Sequence, residues 1–508
     1  MQESVDQDAL PPAWRSADNG GAAGRRRGRV FALAALLVFG ALTWLLVPHG
    51  IGLSWRECDT QAIARNFLID GFDPLRPRVD WRGATDGAVE CEFPLYQMTI
   101  AAGMSVFGHS ETVGRLLALL ATLLAGLSLH RLLELRSGPV GAVAGLLTFL
   151  TCGSTVLVAS RVMPDAFSLA LTIASVATFV RYLGSGGRAA LWASMALLAF
   201  GGLQKPLALQ AGWILFGWTC LLAPRRLRDP QLWCGFVAVV GAVAAWLWHG
   251  HQLHQETGLT FGVLSEGDSK FPALAHLLDP KIHAQLAWTT AQHGVSALGI
   301  LVGLALLLRR RLDATDAVVL ASVVAGLYVS LRYSYHHRMG PHYHMFAAVC
   351  GAWLVARFAG GGAPRWAWPL LLAGVVAQGA WRLSVEAHER HGMTVNPMLD
   401  VTASIRELSQ REERIVVRSE KPRVDELWRR RNNFEDPRIL YQTGLHGWVL
   451  PSDGFDVPAL ERLREQGATL VFDWAGDSPS AAREWLEANA KVILDEPRAR
   501  LYRLLVEE

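Results

Sequence analysis

The chain has 508 residues, 51% of them hydrophobic and only 18% charged, against about 25% charged in soluble proteins. Residues 386–508 hold 41 of the 93 Asp, Glu, Lys and Arg residues, so the first 385 are depleted in the manner of a lipid-embedded chain. A net charge of +3 with no long basic run beyond the N-terminal arginines argues against a nucleic-acid-binding protein, and six cysteines cannot build a disulfide scaffold.

Residues 1–29 read as a cytoplasmic tail, disordered where Gly, Ala, Asp and Pro dominate. Arg25, Arg26, Arg27 and Arg29 precede an apolar run from Val30 to Val47. Pro48-His49-Gly50 lacks the small-residue cleavage pattern of a signal peptide, so this run is read as a first membrane helix that stays attached. Apolar stretches long enough, or nearly so, to cross about 30 Å of hydrocarbon recur near 112–133, 138–157, 165–183, 189–204, 206–222, 231–249, 288–308, 314–331, 343–358 and 366–384. That makes about 11 transmembrane helices.

With a cytoplasmic N-terminus, the inner turns carry Arg131 and Arg136, Arg181 and Arg188, Arg225, Arg226 and Arg228, Arg309 to Arg311, then Arg357 and Arg365. Each is short and basic, as the positive-inside rule asks. Phe93 to Phe107 is apolar but only fifteen residues long. Counting it as a span would invert every later loop, so it reads as an interfacial or re-entrant helix. The expected fold class is a mainly α polytopic membrane protein with a C-terminal extramembrane α/β domain. Residues 30–385 form the transmembrane domain, which includes an external loop at 51–92, and 386–508 form the external domain.

Ionisable residues are nearly absent from the span interiors and gather in the external loops, which favours surface chemistry over proton- or ion-coupled transport. In the first loop Asp59 follows the first span and Glu92 immediately precedes the interfacial helix. Two carboxylates at the water–lipid boundary suit removal of a proton from a hydroxyl acceptor while an activated group arrives from the lipid side. The competing reading is a set of solvated loop acids paired with Arg56, Arg65 or Arg78.

Cys58-Asp59-Thr60, Glu92-Phe93-Pro94-Leu95-Tyr96 and the many-span body resemble the GT-C membrane glycosyltransferases, in particular dolichyl-phosphate-mannose protein mannosyltransferases and bacterial lipid A aminoarabinose transferases. The resemblance implies that Asp59 is the catalytic carboxylate and Glu92 its acidic partner. This chain has Phe93 where the aminoarabinose enzymes have Lys, and Thr60 where they usually have a second acid. The implied activity is inverting transfer of a hexosyl or pentosyl group from a polyprenyl-phosphate donor to an external lipid, glycan or protein hydroxyl. The implied place is a bacterial inner membrane, with the site and the C-terminal domain on the periplasmic side. The rival class is a transporter or flippase of lipid-linked precursors; a non-catalytic assembly subunit is a third reading.

Such a transfer needs cations for the departing phosphate. Lys205, one of five lysines, sits at an outer membrane end, where snorkelling to the interface is the plain alternative. Arg332 and Arg338 could grip phosphate bidentately, and His342-Tyr343 matches a His-Tyr pair that related transferases carry at the start of a late span. An interfacial anchoring loop, or a metal site, would also use this segment. His336, His337, His342 and His344 match no strong zinc spacing, so no cofactor is required and a divalent metal is not favoured. Glu57, Arg65 and Asp165 are supporting candidates, Asp165 equally as a helix cap. Cys58 and Cys91 each stand beside acids of the site, and a disulfide between them would hold Asp59 and Glu92 together.

Beyond residue 393 the pattern changes. Helices are expected at Val401–Gln410, Pro458–Gln466 and Ser480–Ala490, and strands at Arg414–Arg418, Thr469–Trp474, Lys491–Leu494 and Leu501–Leu505. This domain lacks a phosphate-binding Gly fingerprint and a nucleophile elbow. It is expected to help bind the acceptor or shield the site, or else to serve stability alone.

Overall fold

Long runs of Leu, Ala, Val and Gly without Asp, Glu, Lys or Arg satisfy their backbone polar groups within one segment, which in an apolar setting means a helix. The computed structural model describes residues 21–48, 53–265, 278–337, 340–394, 398–425, 430–431, 434–474, 479–497 and 499–505, with the side chains of 328–337, 425, 430 and 431 excepted. The helices are α1 (Ala22–Leu46), α2 (Trp55–Ile69), α3 (Leu95–Phe107), α4 (Glu111–Thr151), α5 (Gly153–Ser160), α6 (Asp165–Ser185), α7 (Arg188–Gln204), α8 (Ala211–Leu222), α9 (Pro230–Thr257), α10 (Pro280–Thr289), α11 (Ser296–Leu308), α12 (Ala314–His337), α13 (Met345–Gly360), α14 (Ala367–Thr394), α15 (Met398–Leu408), α16 (Arg438–Thr443), α17 (Val457–Glu465) and α18 (Ser480–Asn489). The strands are β1 (Arg414–Arg418), β2 (Val424–Asp425), β3 (Arg430–Arg431), β4 (His446–Leu450), β5 (Leu470–Trp474), β6 (Ala490–Glu496) and β7 (Ala499–Leu504).

Each apolar stretch of the sequence falls on helix. Among the described residues, α1, α4, α6 and α9 are long and apolar enough to cross a bilayer, and a fifth span is counted if α10 and α11 are joined. Others are apolar but shorter, such as α7 with 17 residues and α13 with 16. The stretch 288–308 is not one straight helix: its halves are bent by 104°, and Ser296 at the turn has a φ of 69°. The expected division between 112–133 and 138–157 lies inside α4. There Gly138 breaks the helix with φ 71°, and Pro139, which needs no N–H partner at a helix start, opens the next segment.

The chain divides into two compact units. Unit 1 takes Met1–Pro48, Gly114–Trp246 and Lys270–Glu389. Small residues let its helices approach closely. Ser175 and Ser194 exchange hydrogen bonds with each other's carbonyls at 2.8 and 2.9 Å, and Ser168 donates to the Gly201 carbonyl at 2.9 Å, tying α6 to α7. Asp316 is fully buried and accepts from Arg357 at 3.0 Å, from Trp353 Nε1 at 2.9 Å and from Arg136 at 3.3 Å. Arg136 and Arg357, expected as orienting charges, are thus also structural ties, because a buried carboxylate stripped of its partners is strongly destabilising.

Unit 2 takes His49–Val113, Leu247–Ser269 and Arg390–Glu508. Its sheet runs in the order β4-β1-β5-β7-β6, with β4, β1 and β5 parallel, β7 antiparallel to β5, and β6 antiparallel to β7. Alternate residues face opposite sides. Val416, Val471 and Tyr502 pack with Leu460, Leu463 and Leu486 of α17 and α18. Ile415, Val417, Leu470, Phe472 and Leu501 form the other face, and they share a core with Ile63, Phe67, Val79, Trp81, Val89 and Cys91. The segment expected as an external loop of the membrane domain is therefore folded, and it packs with the C-terminal α/β domain. It also extends the sheet edge: Gly447 N–H donates to the Asp80 carbonyl at 3.1 Å, and Gly83 N–H to the Gly447 carbonyl at 2.8 Å. A Cβ on Gly447 would lie 1.8 Å from the Ile415 carbonyl oxygen, so only glycine fits this register.

Candidate active site

Helix α2 carries the first carboxylate. Its N-terminus is closed by Glu57, whose carboxylate accepts from the Ser54 N–H at 3.0 Å and hydroxyl at 2.8 Å. The same oxygen accepts from Arg390 Nη1 at 2.6 Å, and both side chains are wholly buried. Glu57, a supporting candidate from the sequence, thus anchors the helix rather than facing a ligand.

Two residues on, Asp59 is 3% exposed and accepts from the Trp81 indole Nε1 at 2.9 Å. Burial pushes its carboxyl well above the ordinary range, while the Trp81 bond and the Arg56 charge pull the other way. Arg56 Nη2 donates to Glu92 at 2.7 Å, and its guanidinium lies 5.1 Å from the Phe261 ring. Phe261 in turn meets Trp81 edge-on at 5.8 Å. Arg56 therefore acts on both expected catalytic acids, by direct pairing with Glu92 and by its charge on Asp59.

The remaining charges of this segment are built in. Arg65 pairs with Asp80 at 2.6 Å, donates to the Tyr441 carbonyl at 3.2 Å and lies 5.2 Å from the Tyr441 ring. Burial alone would raise Asp80, but Arg65, His446 and Asn66 outweigh it and hold the carboxyl well below its usual range. Glu90, not singled out by the sequence, is buried and accepts from the Thr260 hydroxyl and from the N–H groups of Leu264 at 2.6 Å and Ser265 at 2.9 Å. The reading of solvated acids fails for Asp59, which is buried, whereas Glu92 does pair with Arg56, one of the arginines that reading named.

The disulfide expected between Cys58 and Cys91 is not formed. Successive positions on a helix point about 100° apart, so the face of α2 that carries Cys58 is not the face that carries Asp59. Cys58 packs with Leu53, Ala62 and Tyr441, whereas Cys91 belongs to the core beside the sheet. Burial pushes both thiols up.

Unit 1 brings together four other candidates, Lys205, Asp165, His342 and Tyr343. Lys205, at the end of α7, pairs with Asp165 at 2.9 Å, and both side chains are buried. The Lys205 ammonium also lies 5.1 Å from the centroid of the Tyr343 ring, which meets the His342 ring at a tilt with centroids 4.2 Å apart. Asp165 is the first residue of α6, behind Pro164 at the cap position, so it lies in the first turn and its role there is the ion pair. A snorkelling lysine would be exposed; this one is 6% exposed. Arg161 of the same turn is held by Glu386 at 2.8 Å, which also accepts from Ser160 at 2.9 Å. Arg332 lies on α12 with its side chain outside the described set, and Arg338 lies outside the described residues. Among the described residues no group of three or more His, Cys, Asp or Glu is placed to hold a metal ion.

The family model for dolichyl-phosphate-mannose-protein mannosyltransferase matches residues 92–249, beginning at Glu92. No curated protein sequence matches the chain. Among solved structures, ArnT from Cupriavidus metallidurans in the apo state superposes with a TM-score of 0.60 at 14% identity, covering 93% of this chain and 97% of that one. The chain has a GT-C-like fold. ArnT bound to undecaprenyl phosphate gives a TM-score of 0.55 at 15% identity with the same coverage. The arabinofuranosyltransferase AftD from Mycobacteria gives 0.54 at 14% identity, covering 95% of this chain and 40% of that longer one. With its apolar helices, the GT-C-like chain is an integral membrane protein.

Proposed function

We propose that the protein is an inverting glycosyltransferase that moves a sugar from a polyprenyl-phosphate donor to a hydroxyl on an acceptor at the periplasmic face of a bacterial inner membrane. The observation that carries this reading is the buried Asp59 carboxylate, held by Trp81 and pushed by burial well above the usual carboxylate range, which makes it a stronger base than an exposed one. In the reaction, Asp59 takes the acceptor's hydroxyl proton as that oxygen bonds to the anomeric carbon. The bond from that carbon to the phosphate oxygen breaks, and the lipid phosphate leaves with the electron pair. Glu92, oriented by Arg56, positions the acceptor.

Lys205, with Tyr343 and His342, is assigned the donor phosphate. Its pairing with Asp165 at 2.9 Å fixes the direction of this buried side chain. Arg332 and Arg338 keep the same assignment from the sequence. ArnT crystallised with undecaprenyl phosphate is a fold relative that supports a polyprenyl carrier for this chain.

The test is a comparison of lipid extracts from cells with and without the protein. An accumulating polyprenyl-phosphate sugar in the deficient cells is expected. Accumulation on one membrane face only, with transfer unaffected, would support a flippase instead.

A further inference from the structure

We propose that the C-terminal α/β domain holds a carbohydrate pocket that seats a sugar ring of the acceptor; the inference rests on the transferase reading above and names its acceptor class. The chain leaves β1 through α16 to β4, its neighbour on one side, and leaves β5 through α18 to β6 at the opposite edge of the sheet. Connections thus depart in opposite directions from the neighbouring parallel strands β1 and β5. At such a switch point a crevice opens outside the carboxyl ends of the strands, where open α/β sheets bind ligands. A cavity of about 280 Å³ is found there, lined by Val417, Arg418 and Ser419 after β1 and by Phe472 and Trp474 of β5.

The chemistry of the lining selects the ligand. Trp55, the first residue of α2, forms another wall beside Trp474. Its indole donates to the Glu435 carbonyl at 2.8 Å, which fixes the ring, and Lys421 Nζ lies 5.2 Å from its centroid. Two of the cations in the lining are already balanced. Arg418 pairs with Asp473 at 3.1 Å, and Arg438 grips Asp436 with contacts of 3.0 and 2.6 Å. A phosphate or carboxylate ligand would call for uncompensated cations. Indole faces together with paired guanidinium and carboxylate groups instead suit a polyhydroxyl ring, whose C–H face packs on the aromatic wall and whose hydroxyls meet oriented donors and acceptors. The volume sits near the lower end, about 300 Å³, of small-molecule sites, so it fits a ring rather than an acyl chain.

The pocket is also connected to the proposed base. Trp55 and Asp59 are four residues apart on α2 and share a face, with Cβ atoms about 6 Å apart in a regular helix. Asp436 of the lining is near enough to add, after burial and Asp80, the smallest share of the rise of the Asp59 carboxyl. A ring seated on Trp55 would therefore present a neighbouring hydroxyl toward Asp59.

The test is binding of the purified full-length protein, in lipid nanodiscs and fluorescently labelled, to an array of immobilised glycans. Wild type is expected to be retained by at least one glycan class, Trp474→Ala and the cavity-filling Ser419→Trp to lose tenfold or more in apparent affinity, and Trp474→Phe to keep most of it. Thermal midpoints identify any variant that fails to fold, and agreement of the two independent loss variants covers that case. Asp59→Asn is expected to bind as wild type. Retention by no glycan, unchanged binding by both loss variants, or displacement by millimolar inorganic phosphate would overturn the pocket, the last in favour of an anion site. Trp474-dependent glycan binding by a protein without transfer activity would keep the pocket and remove the transferase reading; transfer without such binding would do the reverse.

Discussion

Trp81 donates its indole N–H to the Asp59 carboxylate at 2.9 Å, joining two buried side chains that are 22 residues apart. The bond favours the charged form of an acid whose burial favours the neutral one. Trp81 therefore lowers the pH at which the Asp59 carboxyl ionises, against the larger effect of burial.

Removing that donor shifts the pH profile in a defined direction. Trp81→Phe keeps the packing against Phe261 but loses the hydrogen bond, so the Asp59 carboxyl rises further. A hydrogen bond to a charged group is worth about 1.5–3 kcal/mol, and about 1.4 kcal/mol is one pH unit. The acid limb of kcat/KM is expected to move up by about one unit or more. A limb that stays in place, or moves down, would show that Trp81 does not control the base.

Arg65 and Asp80 bear on stability with the opposite sign to Asp59. Because Asp80 is held below the usual carboxylate range, its contribution is fully present above about pH 4 and is lost as pH falls through its lowered folded value. Arg65→Ala leaves a buried charge and is expected to cost about 3–5 kcal/mol at neutral pH. Hydrogen exchange should report the loss in α2 and in the β4 edge that Asp80 holds, and Asp80→Asn in the same background should recover part of it.

Residue periodicity drew β1 to the residue, because strand alternation is a local signal, and the resemblance pointed to Asp59 through an equally local motif. The Cys58–Cys91 disulfide rested on a local signal as well, the twin placement of each thiol beside an acid, but helix rotation separates the two. Strand β4 was not legible: His446-Gly447 looks like a turn, and its glycine is explained only by the approach of Ile415. The fate of the first long loop was hidden for a related reason. Val79, Trp81 and Val89 stand among Pro, Asp and Gly without periodicity, yet they join the core beside the sheet. Arg390, which secures Glu57 from 333 positions away, gives no sequence signal.

Glu57 and Arg390 make a stability prediction separate from chemistry. Glu57→Ala removes the helix cap and strands a buried guanidinium, with an expected cost of about 3–5 kcal/mol. Glu57→Gln keeps the cap geometry and should cost less. If proteolysis and thermal unfolding show both variants as stable as wild type, Glu57 is not the anchor of α2.

For Lys205, donor binding and stability can be separated by a double variant. Lys205→Gln removes the ammonium that buried Asp165 pairs with at 2.9 Å, so it should lower the unfolding midpoint as well as raise KM for the polyprenyl-phosphate sugar, by tenfold or more. Adding Asp165→Asn should restore the midpoint but not KM. A double variant with normal KM would leave Lys205 a purely structural partner.

The most direct measurement is sugar transfer by Asp59→Asn, assayed from a polyprenyl-phosphate donor with the purified protein. Because the folded state disfavours the Asp59 charge, its cost to stability grows as pH rises through its raised folded value. The neutral Asn should therefore leave the unfolding midpoint at pH 7 unchanged or higher. Transfer is expected to fall by a thousandfold or more in this well-folded variant, with donor binding kept. Near-normal transfer by Asp59→Asn would contradict the assignment of Asp59 as the base.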